Sequence, residues 1–136
     1  MSDGPAAVAF YEQAFGAVVE HRVVGPGKLD VVAQLSIAGA RFWVSTASED
    51  LRRFSPEEIG GATGRVLLVV DDPESLVQRA VARGARQTSA VGDEHAWRLG
   101  RIVDPFGHEW EVGRPLGAWP PPAAPSCPPP GDRAIP

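Results

Sequence analysis

An internal repeat restricts the folds open to this chain more than any other feature of its sequence. At a constant offset of 68 residues, capping, turn-forming and strand residues of the first half recur in the second half. The matched pairs are Asp3 with Asp71, Pro5 with Pro73, Gly16 with Gly84, Gly39 with Gly107, and Val44 with Val112. A repeat of this length indicates two copies of one supersecondary unit, which bury their apolar faces together.

The first half of the chain is predicted to form one helix followed by three strands. Apolar residues from Ala7 to Phe15 recur at helical spacing, while Asp3 can cap the helix and Gly16 can end it. Valine-rich or alternating sequence then predicts three strands, at residues 17–24, 31–37 and 41–45. Residues 1–45 are therefore interpreted as a first module.

The second half repeats this order and adds a strand in front of it. The aliphatic run from Arg65 to Val70 predicts that strand, and Asp72, Pro73 and Gly84 mark the ends of the next helix. Three more strands are predicted at about residues 85–91, 97–103 and 109–113. Residues 64–114 are interpreted as a complete βαβββ module.

The first module lacks a counterpart of this opening strand. Under the offset of 68 residues, a strand equivalent to Arg65–Val70 would begin upstream of Met1. Either the chain starts later than the natural gene product, or the first sheet keeps an open edge. Such an edge exposes unpaired backbone groups, so a partner subunit or another segment is expected to cover it.

Two segments outside the modules differ in composition. Residues 46–63 are polar and irregular, with one helical turn predicted at Ser55-Pro56-Glu57-Glu58, and are interpreted as a linker. From Pro115 onward the chain holds nine of its 14 prolines, which favours an extended or disordered tail over residues 115–136. Trp119 is the tail residue expected to dock onto the body or onto a second subunit.

The composition argues against several classes of partner. The formal net charge is −4 and lysine and arginine form no cluster, so nucleic acid is not an expected partner. No apolar run approaches the length of a membrane span, and no secretion signal is recognised, so a cytoplasmic location is expected. The lone Cys127 excludes an intrachain disulfide and has no metal-site spacing. The expected partner is a small molecule.

A turn followed by an alternating strand marks the end of the second module. Residues 104–108, Asp-Pro-Phe-Gly-His, place proline and glycine where a tight turn requires them. In the strand beyond the turn, Trp110 and Val112 point to one face, and Glu109 and Glu111 point to the other. The apolar face is expected in the core, and the acidic face is expected in a cleft.

Tandem βαβββ modules, the second ending in a D-P-x-G-x-x-x-E pattern, resemble the vicinal oxygen chelate superfamily. That superfamily includes glyoxalase I, bleomycin-resistance proteins and extradiol dioxygenases. The segments Phe10–Gly16 and Gly39–Val44 are most similar to its PhnB-like branch. The resemblance covers about residues 3–114. It implies an α+β fold in which two curved sheets form a cleft, often within a homodimer.

The resemblance also implies where a divalent metal would bind. Enzymes of the superfamily hold one metal with side chains from the first and last strands of each module. Glu111 stands at the last-strand position of the second module, and Trp43 stands at the equivalent position of the first. Arg65 stands on an opening strand, where the family often has histidine, and the other opening strand is absent. One carboxylate is a poor ligand set, so a metal is not favoured and the cofactor stays unassigned.

The candidate ligand-binding residues combine aromatic rings with polar groups, as small-molecule clefts do. Trp43 and Trp97 are expected to stack on a planar or apolar ligand, although Trp97 also suits a place in the core. Polar contacts are assigned to three further side chains, Gln34, Arg65 and Arg98.

The candidate catalytic residues are Glu111 and His95. Glu111 suits the role of base or metal ligand, and His95 suits either role because imidazole titrates near neutral pH. His21 is a further imidazole that could supply a missing ligand. The alternative for Glu111 is a structural ion pair with Arg65 or Arg41.

Two functions remain open at the level of the sequence. The first is a metal-independent binding protein of the bleomycin-resistance kind, with a small apolar or aromatic ligand in its cleft. The second is a metal-dependent glyoxalase-like lyase or isomerase, or a dioxygenase, that uses Glu111. Arg65 and Trp43 favour the first function, and Glu111 favours the second. A dimeric scaffold without a small ligand is a third alternative, because one fold hosts many functions.

Overall fold

Residues 1–124, the part of the chain that the computed structural model describes, form three helices and seven strands. In chain order the elements are α1 (Gly4–Phe15), β1 (Val18–Val24), β2 (Val31–Ile37), β3 (Ala40–Ser45), α2 (Pro56–Ile59), β4 (Arg65–Val69), α3 (Pro73–Ala82), β5 (Arg86–Glu94), β6 (Trp97–Val103) and β7 (Glu109–Pro115). The second half has the full βαβββ order, and within the described residues the first half has α1 and three strands.

Each long helix begins at a capping aspartate. The Asp3 carboxylate accepts a hydrogen bond from the backbone N–H of Ala6 at 3.0 Å, and the Asp72 carboxylate accepts one from Ser75 at 3.0 Å. Each cap satisfies a backbone N–H that the first turn of a helix leaves free. Helix α1 ends at Gly16, whose φ of 68° lies in the left-handed region that glycine tolerates.

The seven strands form two sheets. In the first, β1, β2 and β3 pair in that order and antiparallel. In the second, the order is β4, β7, β6, β5, with β4 parallel to β7 and the other pairs antiparallel. The α+β architecture that the family resemblance implies is confirmed. Within residues 1–124, β3 and β4 are therefore edge strands.

The β5–β6 hairpin is longer than the sequence predicts. Strand β5 continues to Glu94, because His95 and Ala96 form a two-residue turn with φ angles of 50° and 65°. Two consecutive positive φ angles match the right-handed twist of a hairpin. Strand β7 likewise extends to Pro115, since Trp97 lies opposite this residue across the sheet.

Helices α1 and α3 pack on each other and on the two sheets, so one core serves both halves. On the helix side of the sheets, alternate strand residues are buried, including Ala33, Leu35, Val44, Ile102, Trp110 and Val112. The residues between them along each strand point the opposite way. We call this second surface the outer face, and its members include Gln34, Trp43, Arg65, Arg101 and Glu111.

Residues 46–63, interpreted from the sequence as a linker, are held by local contacts. An isolated β-bridge joins Ser48 to Arg53. The predicted helical turn is present as α2, where Ser55 and Glu58 form a reciprocal capping box. Pro56 lies close to the turn after β6, where a Cβ added at Gly107 would lie 2.9 Å from the Pro56 Cβ. This segment therefore packs directly against the end of the second sheet.

The first part of the proline-rich tail contacts the second sheet. The ring of Trp119 lies 5.0 Å from the ring of Trp97, edge to face, so Trp119 contacts the body of the protein. The disorder predicted for the rest of the tail, including Cys127, concerns residues 125–136, which lie outside the described residues. None of the helices in residues 1–124 has the length and apolar character required to cross a membrane.

Candidate functional site

Three side chains form a row across the outer face of the first sheet. Gln34 on β2 pairs with His21 on β1 and with Trp43 on β3. The rings of His21 and Trp43 lie 6.2 Å apart, edge to face, and the Trp43 residue is 58% exposed. Beside the row, Arg41 is bound by Glu20 at 2.6 Å. The row offers an exposed indole next to an amide and an imidazole.

A ladder of ion pairs crosses the outer face of the second sheet. The Oε1 atom of Glu111 accepts hydrogen bonds from Arg65 Nη1 at 3.1 Å and from Arg101 Nε at 3.0 Å. Arg65 also contacts Glu109 at 3.2 Å, and Arg101 contacts Glu94 at 2.7 Å. The hydrogen bond to Glu94 is the largest cause that raises the pKa of Arg101, and the hydrogen bond to Glu111 raises it further. The ion pair between Glu111 and Arg65, one of the two alternatives for this carboxylate, is therefore present.

The side chains at the metal positions of the superfamily do not fit a divalent metal. One oxygen of Glu111 is engaged by two guanidinium groups, and the charge of Arg65 stands where another ligand would be needed. Trp43, at the equivalent position of the first sheet, has an N–H donor and no acceptor for a metal. Among residues 1–124, no three His, Cys, Asp or Glu side chains are grouped as a metal site requires.

The remaining candidates lie at one end of the β5–β6 hairpin. The side chain of His95 is 89% exposed in the hairpin turn. Arg98 lies on the helix side of the sheet, where it forms an ion pair with Glu74 of α3. Trp97 contacts the tail, as described above, and is not part of the row at Trp43. The structure therefore brings Gln34 close to Trp43 and separates both from the hairpin residues.

An apolar cavity of about 340 Å³ opens between β3 and β4, the edge strands of the two sheets. Its walls include Phe42 and Val44 from β3, and Val66 and Leu68 from β4. Trp43 also contributes to its lining. The volume lies within the range of small-molecule pockets. We call this cavity the edge slot.

A buried carboxylate joins the two halves of the molecule, a role that the sequence does not predict for it. Asp104 is 4% exposed. Its Oδ1 atom accepts hydrogen bonds from the backbone N–H groups of Phe106 at 2.9 Å and His108 at 3.0 Å. Its Oδ2 atom accepts them from the Tyr11 hydroxyl at 2.5 Å and the Trp110 indole at 3.0 Å. Burial is the largest cause that raises the pKa of Tyr11, and the nearby negative charge of Asp104 raises it further.

His108 follows this turn and lines the edge slot. Its Nε2 atom is buried and has no hydrogen-bond partner among the described residues. Burial lowers the pKa of His108 from its usual 6.5, while the nearby Asp104 carboxylate opposes the change. The slot therefore contains a buried polar ring nitrogen whose hydrogen-bonding capacity is unused among the described residues.

Comparison with protein families identifies the class to which this architecture belongs. A family model described as a glyoxalase-like domain matches residues 1–113. An uncharacterised protein of Mycobacterium bovis is 35% identical over 122 residues, which cover 85% of this chain and 79% of that protein. The chain therefore belongs to the glyoxalase-like family.

Solved structures share the fold. A gene product of Arabidopsis thaliana superimposes with a TM-score of 0.64 at 30% identity, covering 81% of this chain and 87% of that one. A glyoxalase/bleomycin resistance protein/dioxygenase family enzyme from Burkholderia phytofirmans gives 0.62 at 21% identity, covering 85% and 93%. A fosfomycin resistance protein from Listeria monocytogenes, solved with Mn(II) and sulfate, gives 0.63 at 16% identity, covering 88% and 87%. At such identities the last two show the fold alone.

Proposed function

We propose that this chain is a small-molecule-binding protein of the PhnB-like branch, which binds an apolar or aromatic molecule on its outer face without a metal. The observation that carries the proposal is the row of His21, Gln34 and Trp43, with its exposed indole. A planar molecule stacked on this indole would be removed from water together with the ring. The Gln34 amide and the His21 imidazole would set its orientation through hydrogen bonds.

The charges of the outer face favour a ligand that is neutral or cationic. The ion-pair ladder contains three carboxylates, Glu94, Glu109 and Glu111, and two guanidinium groups, Arg65 and Arg101. Each guanidinium is already bonded to carboxylates. An incoming anion would have to displace one of them and would then face the negative charge that remains. The role proposed for Arg65 is therefore to hold Glu111 in place on the outer face of the second sheet.

The metal-dependent alternative rests on Glu111. This carboxylate stands at the last-strand position of the second module, and a fosfomycin resistance protein solved with Mn(II) has the same fold. The two arginines bound to its Oε1 atom argue against the alternative, because a divalent cation would have to replace them and tolerate their charge. No catalytic step is therefore assigned to a metal.

We expect purified protein to retain well under one metal ion per chain after exposure to Fe, Mn, Ni, Co and Zn and removal of loose ions. Glu111→Gln should leave this content unchanged, because the carboxylate is committed to its two arginines. Plasma mass spectrometry provides the measurement. About one ion per chain that disappears in Glu111→Gln would contradict the metal-independent proposal and favour the enzyme alternative, since a specific metal site loads close to stoichiometrically.

We expect Trp43→Ala to weaken binding of the neutral aromatic dye N-phenyl-1-naphthylamine by roughly tenfold or more, equivalent to about 1.4 kcal/mol. The reason is the loss of the stacking surface on the outer face. Gln34→Ala should weaken binding in the same direction by a smaller factor. Titration with the dye, monitored by its fluorescence emission, measures the dissociation constants of the unchanged protein and of the two variants.

Two matched variants and a second dye locate the binding surface. Trp97→Ala removes an indole from the hairpin end, and Val66→Ala alters only the edge slot, so both should leave the dye affinity within about twofold. The anionic dye 1-anilinonaphthalene-8-sulfonate should bind more weakly than the neutral one, because carboxylates outnumber guanidiniums in the ladder. Equal losses in Trp43→Ala and Trp97→Ala would remove the basis of the proposal.

A further inference from the structure

The walls of the edge slot include backbone as well as side chains. The lining takes in every residue of β3 from Ala40 to Val44 and three consecutive residues of β4, from Val66 to Leu68. Consecutive strand residues point their side chains to opposite faces, so a wall that contains both sets also contains the backbone between them. Within residues 1–124, no strand pairs with β3 or β4 on the side of the slot. The slot therefore presents peptide groups that belong to two strand edges.

The hydrogen bonds around Thr46, directly after β3, show which backbone groups point into the slot. The Thr46 N–H donates to the Val31 carbonyl of β2 at 2.9 Å. Its neighbours point the other way, because the Ser45 carbonyl accepts from the Met1 amino group at 3.1 Å and the Ala47 N–H donates to the Met1 carbonyl at 2.6 Å. An antiparallel edge strand alternates in this manner. Even-numbered residues of β3 therefore bond to β2, and odd-numbered residues turn their N–H and C=O groups toward the open edge.

Arg41 and Trp43 are the two odd-numbered residues of β3 that line the slot. Outside the β2–β3 ladder, neither the Arg41 carbonyl nor the Trp43 N–H has a hydrogen-bond partner among residues 1–124. These two groups form an acceptor and a donor side by side, in the same arrangement as the Ser45 carbonyl and the Ala47 N–H that bind Met1. A molecule with an N–H donor next to a C=O acceptor would satisfy both groups.

The side chains that line the slot favour a flat, apolar molecule. Phe42, Tyr11 and Trp110 contribute aromatic rings, and Val66 and Leu68 contribute aliphatic groups from β4. Aromatic rings pack well against the edge or face of another ring. The volume of about 340 Å³ lies near the lower end of the range for small-molecule pockets, so the molecule that fits is small.

We propose that the edge slot is a binding site for a flat aromatic lactam, a ring amide whose N–H and C=O lie on the same side. The lactam N–H donates to the Arg41 carbonyl, its C=O accepts from the Trp43 N–H, and its rings lie against the apolar walls. Met1 already pairs beside the carboxyl end of β3, so an extended peptide cannot run along the whole edge. The site is independent of the proposed function, because it uses the backbone of Trp43 and not its indole.

The bicyclic lactam 2-quinolinone and its N-methyl derivative are matched probes, because they differ by one methyl group that replaces the N–H donor. We expect 2-quinolinone to bind about tenfold or more tightly than the derivative, which leaves the Arg41 carbonyl without a donor. Titration of the full chain with each probe, followed by proton–nitrogen correlation NMR, measures both dissociation constants.

Amide exchange locates the lactam on the edge of β3. Saturation with 2-quinolinone should slow exchange of the Trp43 backbone N–H by about fivefold or more, because a free group becomes bonded. The N–H groups of Phe42 and Val44 point toward β2 and should exchange at an unchanged rate. Only a ligand on the strand edge produces this difference between neighbouring residues.

Two substitutions separate the slot from the outer face. Val66→Trp places a large ring in the slot, so it should weaken 2-quinolinone binding about tenfold or more and leave the affinity for N-phenyl-1-naphthylamine within about twofold. Trp43→Ala keeps the backbone N–H, so it should weaken dye binding and leave 2-quinolinone affinity within about threefold. The lactam site and the proposed function can therefore fail separately.

The proposal would be overturned if 2-quinolinone did not bind, if both probes bound equally, or if exchange slowed equally at Phe42, Trp43 and Val44. Lactam affinity retained in Val66→Trp would also overturn it, since the molecule would then be bound elsewhere. The alternative occupant is an extended peptide, for which acetyl-Ala-Val-Ala-amide is the probe. If this peptide slowed exchange at Trp43 and 2-quinolinone did not, the slot would be a peptide site and the lactam assignment would be wrong.

Discussion

Asp104→Ala is expected to lower the free energy of unfolding by about 3–5 kcal/mol. Two side-chain donors, the hydroxyl of Tyr11 and the indole N–H of Trp110, lose their acceptor in a buried site. The backbone N–H groups of Phe106 and His108 lose theirs in the same turn. A buried donor left without a partner costs about 1–3 kcal/mol, and these costs are not fully additive. Urea denaturation followed by circular dichroism measures the loss.

Two further variants separate the hydrogen bonds of Asp104 from the removal of a carboxylate in general. Asp104→Asn keeps the shape and one acceptor oxygen but brings an amide donor toward Trp110, so an intermediate loss of about 1–3 kcal/mol is expected. Asp3→Ala removes a carboxylate that caps α1 through one hydrogen bond, and should cost about 1 kcal/mol. If Asp104→Ala cost no more than Asp3→Ala, the buried carboxylate would not hold the two halves together.

The role of Asp104 shows where prediction from the sequence ends. Its place in a turn follows from the proline and glycine that come after it, which are local signals. Its hydrogen bond to Tyr11 spans 93 residues and depends on how α1 packs against the second sheet. A signal was present in the sequence, because a tyrosine within the apolar stripe of a helix requires a partner for its hydroxyl. The identity of that partner is set by tertiary packing.

The strands were predicted well where alternation is strict and less well where a turn lacks the usual residues. Strand β2 has the predicted bounds, 31–37, because one of its faces is buried in the core. Strand β5 was predicted to end near residue 91, but it continues to Glu94. Its turn is formed by His95 and Ala96, and neither is glycine or asparagine, the residues that normally signal two positive φ angles.

The faces of the second sheet decide which charged candidates meet. Glu111 was predicted on the face opposite Trp110, and its contact with Arg65 was one of the expected alternatives. Its second partner, Arg101, was not predicted, because the register between β6 and β7 cannot be read from one sequence. Arg98 was assigned to the ligand, yet it is three positions from Arg101 on the same strand. An odd spacing places two strand residues on opposite faces, so Arg98 lies on the helix side.

Trp110→Ala and Trp43→Ala are expected to have opposite consequences, although each replaces a strand tryptophan. Trp110 is 5% exposed, and its ring lies 4.9 Å from that of Phe15 and 5.5 Å from that of Tyr11. Its removal leaves a cavity in the core and should cost about 3–5 kcal/mol. Trp43 lies on the outer face and is mostly exposed, so its removal should change stability by about 0.5 kcal/mol or less. Urea denaturation of both variants provides the comparison.

The contrast between these two tryptophans tests the assignment of the faces themselves. The offset of 68 residues relates Trp110 to Phe42, and the two rings lie 6.1 Å apart in the shared core. Phe42→Ala should therefore resemble Trp110→Ala in its effect on stability and leave dye binding in place. If Trp43→Ala instead lost as much stability as Trp110→Ala, Trp43 would belong to the core, and a ligand on the outer face would have lost its stacking partner. Stability retained together with lost dye affinity is the result that requires an exposed, ligand-binding indole.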